Sequence, residues 1–131
     1  MSIQRLSFVC DDLAGMARFW QATFGIVAIP TTDDLVAERQ GLLVPVSPGC
    51  GVEYLCFPGM PGDRGSGDLR RLDLQIGDPA RWAALRAAVR AGSQAGTGDT
   101  LPDGRIAVLD PSGLLLVCSG PTGACPDFRF P

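Results

Sequence analysis

The sequence predicts an α+β fold of two tandem βαβββ modules, each a curved mixed sheet with a helix on its convex side. Three observations lead there. A constant shift that carries Arg5 onto Arg71 also lays Leu6-Ser7-Phe8-Val9-Cys10 on Leu72-Asp73-Leu74-Gln75-Ile76, and Asp12 on Asp78. In both copies that aspartate precedes a run with helical apolar spacing that ends at a glycine. Between the copies lies a stretch, residues 58–68, dominated by glycine and proline.

At 131 residues, 46% of them hydrophobic, the chain suffices for one domain with a real core and is too short for two ordinary ones. The expected organisation is therefore a single domain over 1–131. It divides into module one at 1–57, a linker at 58–68, module two at 69–119 and a proline-bearing tail at 120–131.

The first strand spans Arg5 to Cys10, where strict alternation puts Leu6, Phe8 and Cys10 on the face to be packed. Arg5, Ser7 and Val9 then fall on the opposite face. Asp12 is placed to cap a helix over Leu13 to Phe24, with Leu13, Met16, Ala17, Trp20 and Phe24 on its apolar side and Gly25 as its stop. Short β-branched stretches at Ile26 to Ile29 and Leu35 to Val46 read as the next strands, and Cys50 to Cys56 as the last of the module.

The second copy repeats the order. Arg71 to Ile76 is a strand with Leu72, Leu74 and Ile76 packed and Arg71, Asp73 and Gln75 opposite. Pro79 suits the first turn of a helix containing Trp82, Leu85, Ala88 and Val89, closed by Gly92. Ser93 to Thr97, Arg105 to Leu109 and Ser112 to Cys118 complete the module, the last strand opening with glycine as Gly51 opens its counterpart. Phe19, Trp20, Phe24 and Trp82 sit at core spacing on the helices.

Composition removes several function classes. The formal charge of −3 and the absence of a basic run argue against nucleic acid as a partner. No apolar run is long enough for a bilayer and the N-terminus lacks a secretory pattern, so a cytoplasmic location and no membrane partner are expected. The five cysteines, Cys10, Cys50, Cys56, Cys118 and Cys125, include no CxxC pair and argue against a disulfide framework or a zinc knot. The chain has no histidine, and all eleven basic residues are arginines. This excludes histidine-based nucleophile activation, the usual nitrogen ligands of zinc or iron, and a lysine Schiff base. Asparagine is missing too, a bias that suggests GC-rich codons and not selection at a site.

A strand, an aspartate, a helix carrying Phe19-Trp20 and ending at Phe24-Gly25, and later Asp110-Pro111-Ser112-Gly113 before a last strand, together resemble the vicinal oxygen chelate superfamily. That group includes glyoxalase I, bleomycin-resistance proteins, fosfomycin-resistance enzymes and extradiol dioxygenases; more narrowly, the chain looks like actinobacterial glyoxalase-like domains. The likeness spans residues 3 to 119. Metal-using members hold a histidine at the start of each module's first strand, seven residues before the capping aspartate, and a glutamate four residues after the glycine of the last strand. Carried over, those positions are Arg5, Arg71, Leu55 and Val117, none of which ligates a metal. The resemblance therefore implies the scaffold and its cup without the ion: no metal site and no cofactor.

Arg5 and Arg71 are the candidate ligand clamp, two guanidiniums suited to a carboxylate, phosphate or enolate. The competing reading is structural, with Glu53 and Asp73 neutralising them as buried charge requires. Glu53 and Asp73 are also the candidate catalytic residues, since desolvation would lift their pKa values toward neutrality while pairing with arginine would lower them. The expected ligand-binding set is Arg5, Ser7, Glu53, Phe57, Arg71, Asp73 and Gln75, with Phe57 and Tyr54 as stacking surfaces. The expected function is metal-free binding of a small organic ligand, anionic or aromatic, such as an antibiotic or other natural product, in the cup or the groove between modules of a homodimer or bilobal monomer. The alternatives are a metal-independent isomerase, lyase or cyclase, and a structural domain with no ligand.

Overall fold

In the computed structural model the residues described are 1–32, 40–56, 70–92 and 97–121. Strand β1 (Arg5–Val9) leads into α1 (Leu13–Phe24), then β2 (Ile29–Thr32), β3 (Gln40–Ser47) and β4 (Cys50–Cys56). The second module repeats this as β5 (Arg71–Gln75), α2 (Pro79–Ala91), β6 (Thr97–Thr100), β7 (Ile106–Leu109) and β8 (Leu115–Ser119). Each module forms a four-stranded sheet, ordered β1-β4-β3-β2 and β5-β8-β7-β6, whose first pair is parallel and whose other pairs are antiparallel. The expected α+β class and the duplicated βαβββ order both hold.

The helix ends form as the residues dictate. The Asp12 carboxylate accepts from the Gly15 amide at 2.9 Å, and that of Asp78 from the Ala80 amide at 3.0 Å, satisfying N–H groups that a helix start leaves unpaired. Gly25 and Gly92 close the helices at φ 68° and 67°, a left-handed conformation that disfavours side-chain-bearing residues.

Two strands, β2 and β8, start later than expected and β6 runs further, each for a local reason. Ile26 N–H donates to Trp20 O at the end of α1, so this residue finishes the helix cap and β2 begins at Ile29. The β6–β7 hairpin turns tightly, with Leu101 N–H on Arg105 O at 2.8 Å and Gly104 at φ 90°, so β6 continues past the expected end at Thr97 to Thr100. Before β8, the Asp110 carboxylate accepts from the amides of Ser112 and Leu114, which locks 110–114 into a turn and defers the strand to Leu115. The expected strand portions at 35–39 and 93–96 lie outside the described residues, as do the linker and most of the tail.

Both modules contribute to one core. Met16, Phe19, Trp20, Val44, Val52 and Tyr54 from the first pack in one cluster with Trp82, Leu85, Ile106, Val108 and Leu116 from the second. The helix-bearing face of each sheet therefore turns inward, and the opposite faces, which carry the charged residues, look outward from the shared core. Leu6 departs from the expected burial: it lies on the packed face opposite Val52 but remains 36% exposed, because β1 is an edge strand whose first residues precede the cover of α1. No helix among the described residues is long and apolar enough to cross a membrane.

Candidate functional site

The outer face of the first sheet is assembled by register. β1 and β4 pair with Ser7 opposite Glu53 and Arg5 opposite Gly51, while β3 places Leu43 on the other side of Glu53. Glu53 is 2% exposed and accepts from Arg5 Nη1 at 3.2 Å, from Ser7 Oγ at 3.1 Å and from Thr31 Oγ1 at 3.1 Å. Thr31 reaches it because Gly41, its partner on β3, has no side chain; a Cβ there would strike the Thr31 hydroxyl. The sequence reading did not find Thr31, whose strand it ended at Ile29, so the signal was a β-branched pair at 31–32 left unassigned.

Arg5 is the exposed member of this group. Its side chain is 49% accessible, and it edges an open cleft of about 450 Å³ whose other walls include Leu43, Pro45, Cys50 and Gly51. Gly51 keeps that floor low: a Cβ on it would sit 2.6 Å from Leu43 Cδ1.

The second sheet presents a different arrangement. Arg71 donates through Nε and Nη2 to Asp73 Oδ1 at 3.0 and 2.8 Å, and both side chains are about half exposed. Opposite Asp73 on β8 stands Val117, and Gln75 is exposed at the strand end. Each arginine thus closes on a carboxylate of its own sheet. Because the two sheets share a core through their other faces, Arg5 and Arg71 are not brought together within one chain.

One sequence expectation changes here. Tyr54, a candidate stacking surface, points the other way from Glu53 and is fully buried in the core, where its hydroxyl bridges Trp20 Nε1 and the Asp110 carboxylate. Phe57 lies outside the described residues. The thiols at Cys10 and Cys118 are buried, and burial pushes the first up to about 11 and the second, with help from the Asp73 charge, to about 12. Neither is a nucleophile near neutral pH.

No protein-family model matches the sequence. No curated protein matches it either. Solved structures do match. The glyoxalase I of Leishmania major superposes with a TM-score of 0.69 at 15% identity, over 90% of this chain and 85% of that one. A glyoxylase/bleomycin resistance protein/dioxygenase domain from Frankia sp. gives 0.63 at 15% identity, over 90% and 95%. The fosfomycin resistance protein FosX from Listeria monocytogenes gives 0.65 at 14% identity, over 98% of both chains. The fold is the vicinal oxygen chelate fold.

Within the vicinal oxygen chelate fold, strand pairing corrects one correspondence. Gly51 pairs with Arg5 on the first sheet, whereas Leu115, and not Gly113, pairs with Arg71 on the second. The counterpart of Val117 is then Glu53, which stands opposite Ser7 as Val117 stands opposite Asp73, two residues before Leu55. A carboxylate therefore does occupy the glutamate position of module one. It is held by the Arg5 guanidinium and two hydroxyls, and Arg71 and Val117 stand at the corresponding places of module two. Among the described residues no group of three or more His, Cys, Asp or Glu side chains is arranged to hold a metal ion. A permanently charged guanidinium 3.2 Å from the carboxylate does not suit a divalent cation, so the ion that metal-using proteins of this fold hold does not fit the residues present.

Proposed function

We propose that the protein is a metal-independent, cytoplasmic binder of a small organic anion, held in the outer cup of the first sheet with Arg5 as its polar anchor. The observation that carries this reading is the state of Arg5. One of its nitrogens is fixed on a buried carboxylate, which orients the guanidinium, while the rest of the half-exposed group borders an open cleft and has no other hydrogen bond among the described residues. A cation oriented in advance binds a carboxylate or phosphonate with less ordering cost than a free side chain. A fosfomycin resistance protein of similar fold from Listeria monocytogenes holds a small organic anion, dihydroxypropylphosphonic acid, together with Mn(II).

The geometry supports binding above proton transfer. Glu53 spends its oxygens on Arg5, Ser7 and Thr31, and Asp73 is paired with Arg71 at the surface. We assign the protein to a homodimer as well: Ile29 on the first outer face and Leu109 on the second are 51% and 41% exposed, apolar surface that a second copy would cover.

A thermal-shift panel of organic acids, phosphonates and aromatic antibiotics tests the reading. A ligand at a hundred times its dissociation constant stabilises by about 2.7 kcal/mol, and Arg5→Gln is expected to abolish that shift. Zinc, manganese and nickel are expected to leave the melting temperature where it is. A panel without a hit, or a reproducible rise with one of these ions, overturns it.

A further inference from the structure

On the far side of the β3–β4 hairpin from the cup, a second cleft of about 580 Å³ opens between the modules. Phe24 of α1 forms its floor, backed by the fully buried Trp20 ring 4.7 Å away and tilted by 31°, and Ile26 and Ile76 stand in its walls. At its rim are Asp78 and Arg81. The volume lies within the range of about 300–1,000 Å³ usual for small-molecule sites, and an apolar lining with few polar groups is their usual make-up.

The two charged groups at the rim are not equivalent. The Asp78 carboxylate is committed to the Ala80 amide at 3.0 Å as the cap of α2. Arg81, in the first turn of that helix, is exposed and makes no ion pair or hydrogen bond among the described residues. An uncommitted guanidinium beside a helix start attracts negative charge, which the partial positive charge of the helix terminus reinforces. The geometry points to a second binding site here, for an aromatic molecule carrying one anionic group, with its rings against Phe24, Ile26 and Ile76 and its charge on Arg81. The two clefts share Pro45, Ser47 and Gly49 at the β3–β4 hairpin, but Arg5 lines only the cup and Arg81 only this cleft, so the two anchors can be tested apart.

Gly77 makes the idea testable. It lines the cleft, and a Cβ there meets no atom within 4 Å, so a phenylalanine is accommodated at that position while filling the space. Binding is measured by fluorescence titration with 1-anilinonaphthalene-8-sulfonate and with its uncharged analogue N-phenyl-1-naphthylamine, on wild type, Gly77→Phe, Arg81→Gln and Arg5→Gln. Circular dichroism verifies that each variant is folded.

Arg81→Gln is expected to weaken the anionic probe by about tenfold, the scale of one charge-assisted hydrogen bond, and to leave the neutral probe within about twofold. Gly77→Phe weakens both probes, and Arg5→Gln weakens neither. Wild type that binds no probe, or Gly77→Phe and Arg81→Gln proteins that bind as wild type does, overturns the site. Loss confined to Arg5→Gln overturns it too, while leaving the cup reading in place.

Discussion

The Tyr54 hydroxyl donates to Asp110 Oδ2 at 2.8 Å, linking the last strand of the first module to the turn before the last strand of the second. Trp20 Nε1 donates to the same hydroxyl at 3.0 Å, and Asp110 Oδ1 accepts from the Ser112 amide and hydroxyl and from the Leu114 amide. This buried chain ties α1, β4 and the β7–β8 turn together. Tyr54→Phe leaves Trp20 N–H and one Asp110 oxygen without their partner, and is expected to destabilise the fold by about 1–3 kcal/mol. Urea denaturation with an unchanged slope checks this; a midpoint equal to that of wild type would show the link to be energetically idle.

The same burial sets an alkaline limit. Burial and the Asp110 charge drive the Tyr54 phenol above its ordinary 10.0, and burial raises the thiols of Cys10 and Cys118 from 9.0 to about 11 and about 12. These are acids that hold their protons more tightly when folded. Their contribution is complete below about pH 9 and is lost as pH climbs through the folded values, at up to about 1.4 kcal/mol per pH unit for each group. The urea midpoint is therefore expected to fall steadily between pH 9 and 11. Tyr54, the only tyrosine in the chain, should ionise at 295 nm only as the protein unfolds.

The two arginine–carboxylate pairs should differ in strength. Glu53 is almost fully buried beneath Arg5, whereas Asp73 and Arg71 are both about half exposed. Double-mutant cycles with Arg5→Met and Glu53→Gln are expected to give a coupling of about 1–2 kcal/mol, less than a fully buried pair because Arg5 reaches solvent. Arg71→Met with Asp73→Asn is expected to give at most about 0.5 kcal/mol, reduced further by salt. Equal couplings would contradict the asymmetry of the two cups.

Gly120 marks where the second module closes. A Cβ there would stand 2.5–2.8 Å from the Trp82 indole, a contact that neither the backbone of the strand end nor the packed ring relieves cheaply. Gly120→Ala is expected to cost about 1–3 kcal/mol, and a smaller side chain at Trp82 should recover part of the loss. Chemical denaturation of both single variants and the double variant measures the recovery.

Much of the candidate site was legible in the residues. Alternation along β1 placed Arg5 and Ser7 on the outer face, and the parity of β4 placed Glu53 with them; the same parity sets Tyr54 on the opposite side, so its burial was readable and was passed over. Asp110 stood out only as part of a motif, and its partnership with Tyr54 gave no local sign because 56 residues separate them. The match of Gly51 with Gly113 misled, since the turn held by Asp110 consumes residues in module two that the first module leaves to its strand.

The residues alone determined the duplicated βαβββ order, both helices with their caps, and the absence of histidine and lysine chemistry. Capping, glycine stops and strand alternation act over a few neighbouring residues, so one chain segment suffices to specify them. Tertiary structure decided which carboxylate each arginine meets, which residue of the last strand lies opposite it, and that the two charged faces look outward from one core. Those depend on register and on how the modules dock, both fixed by the summed packing of distant side chains.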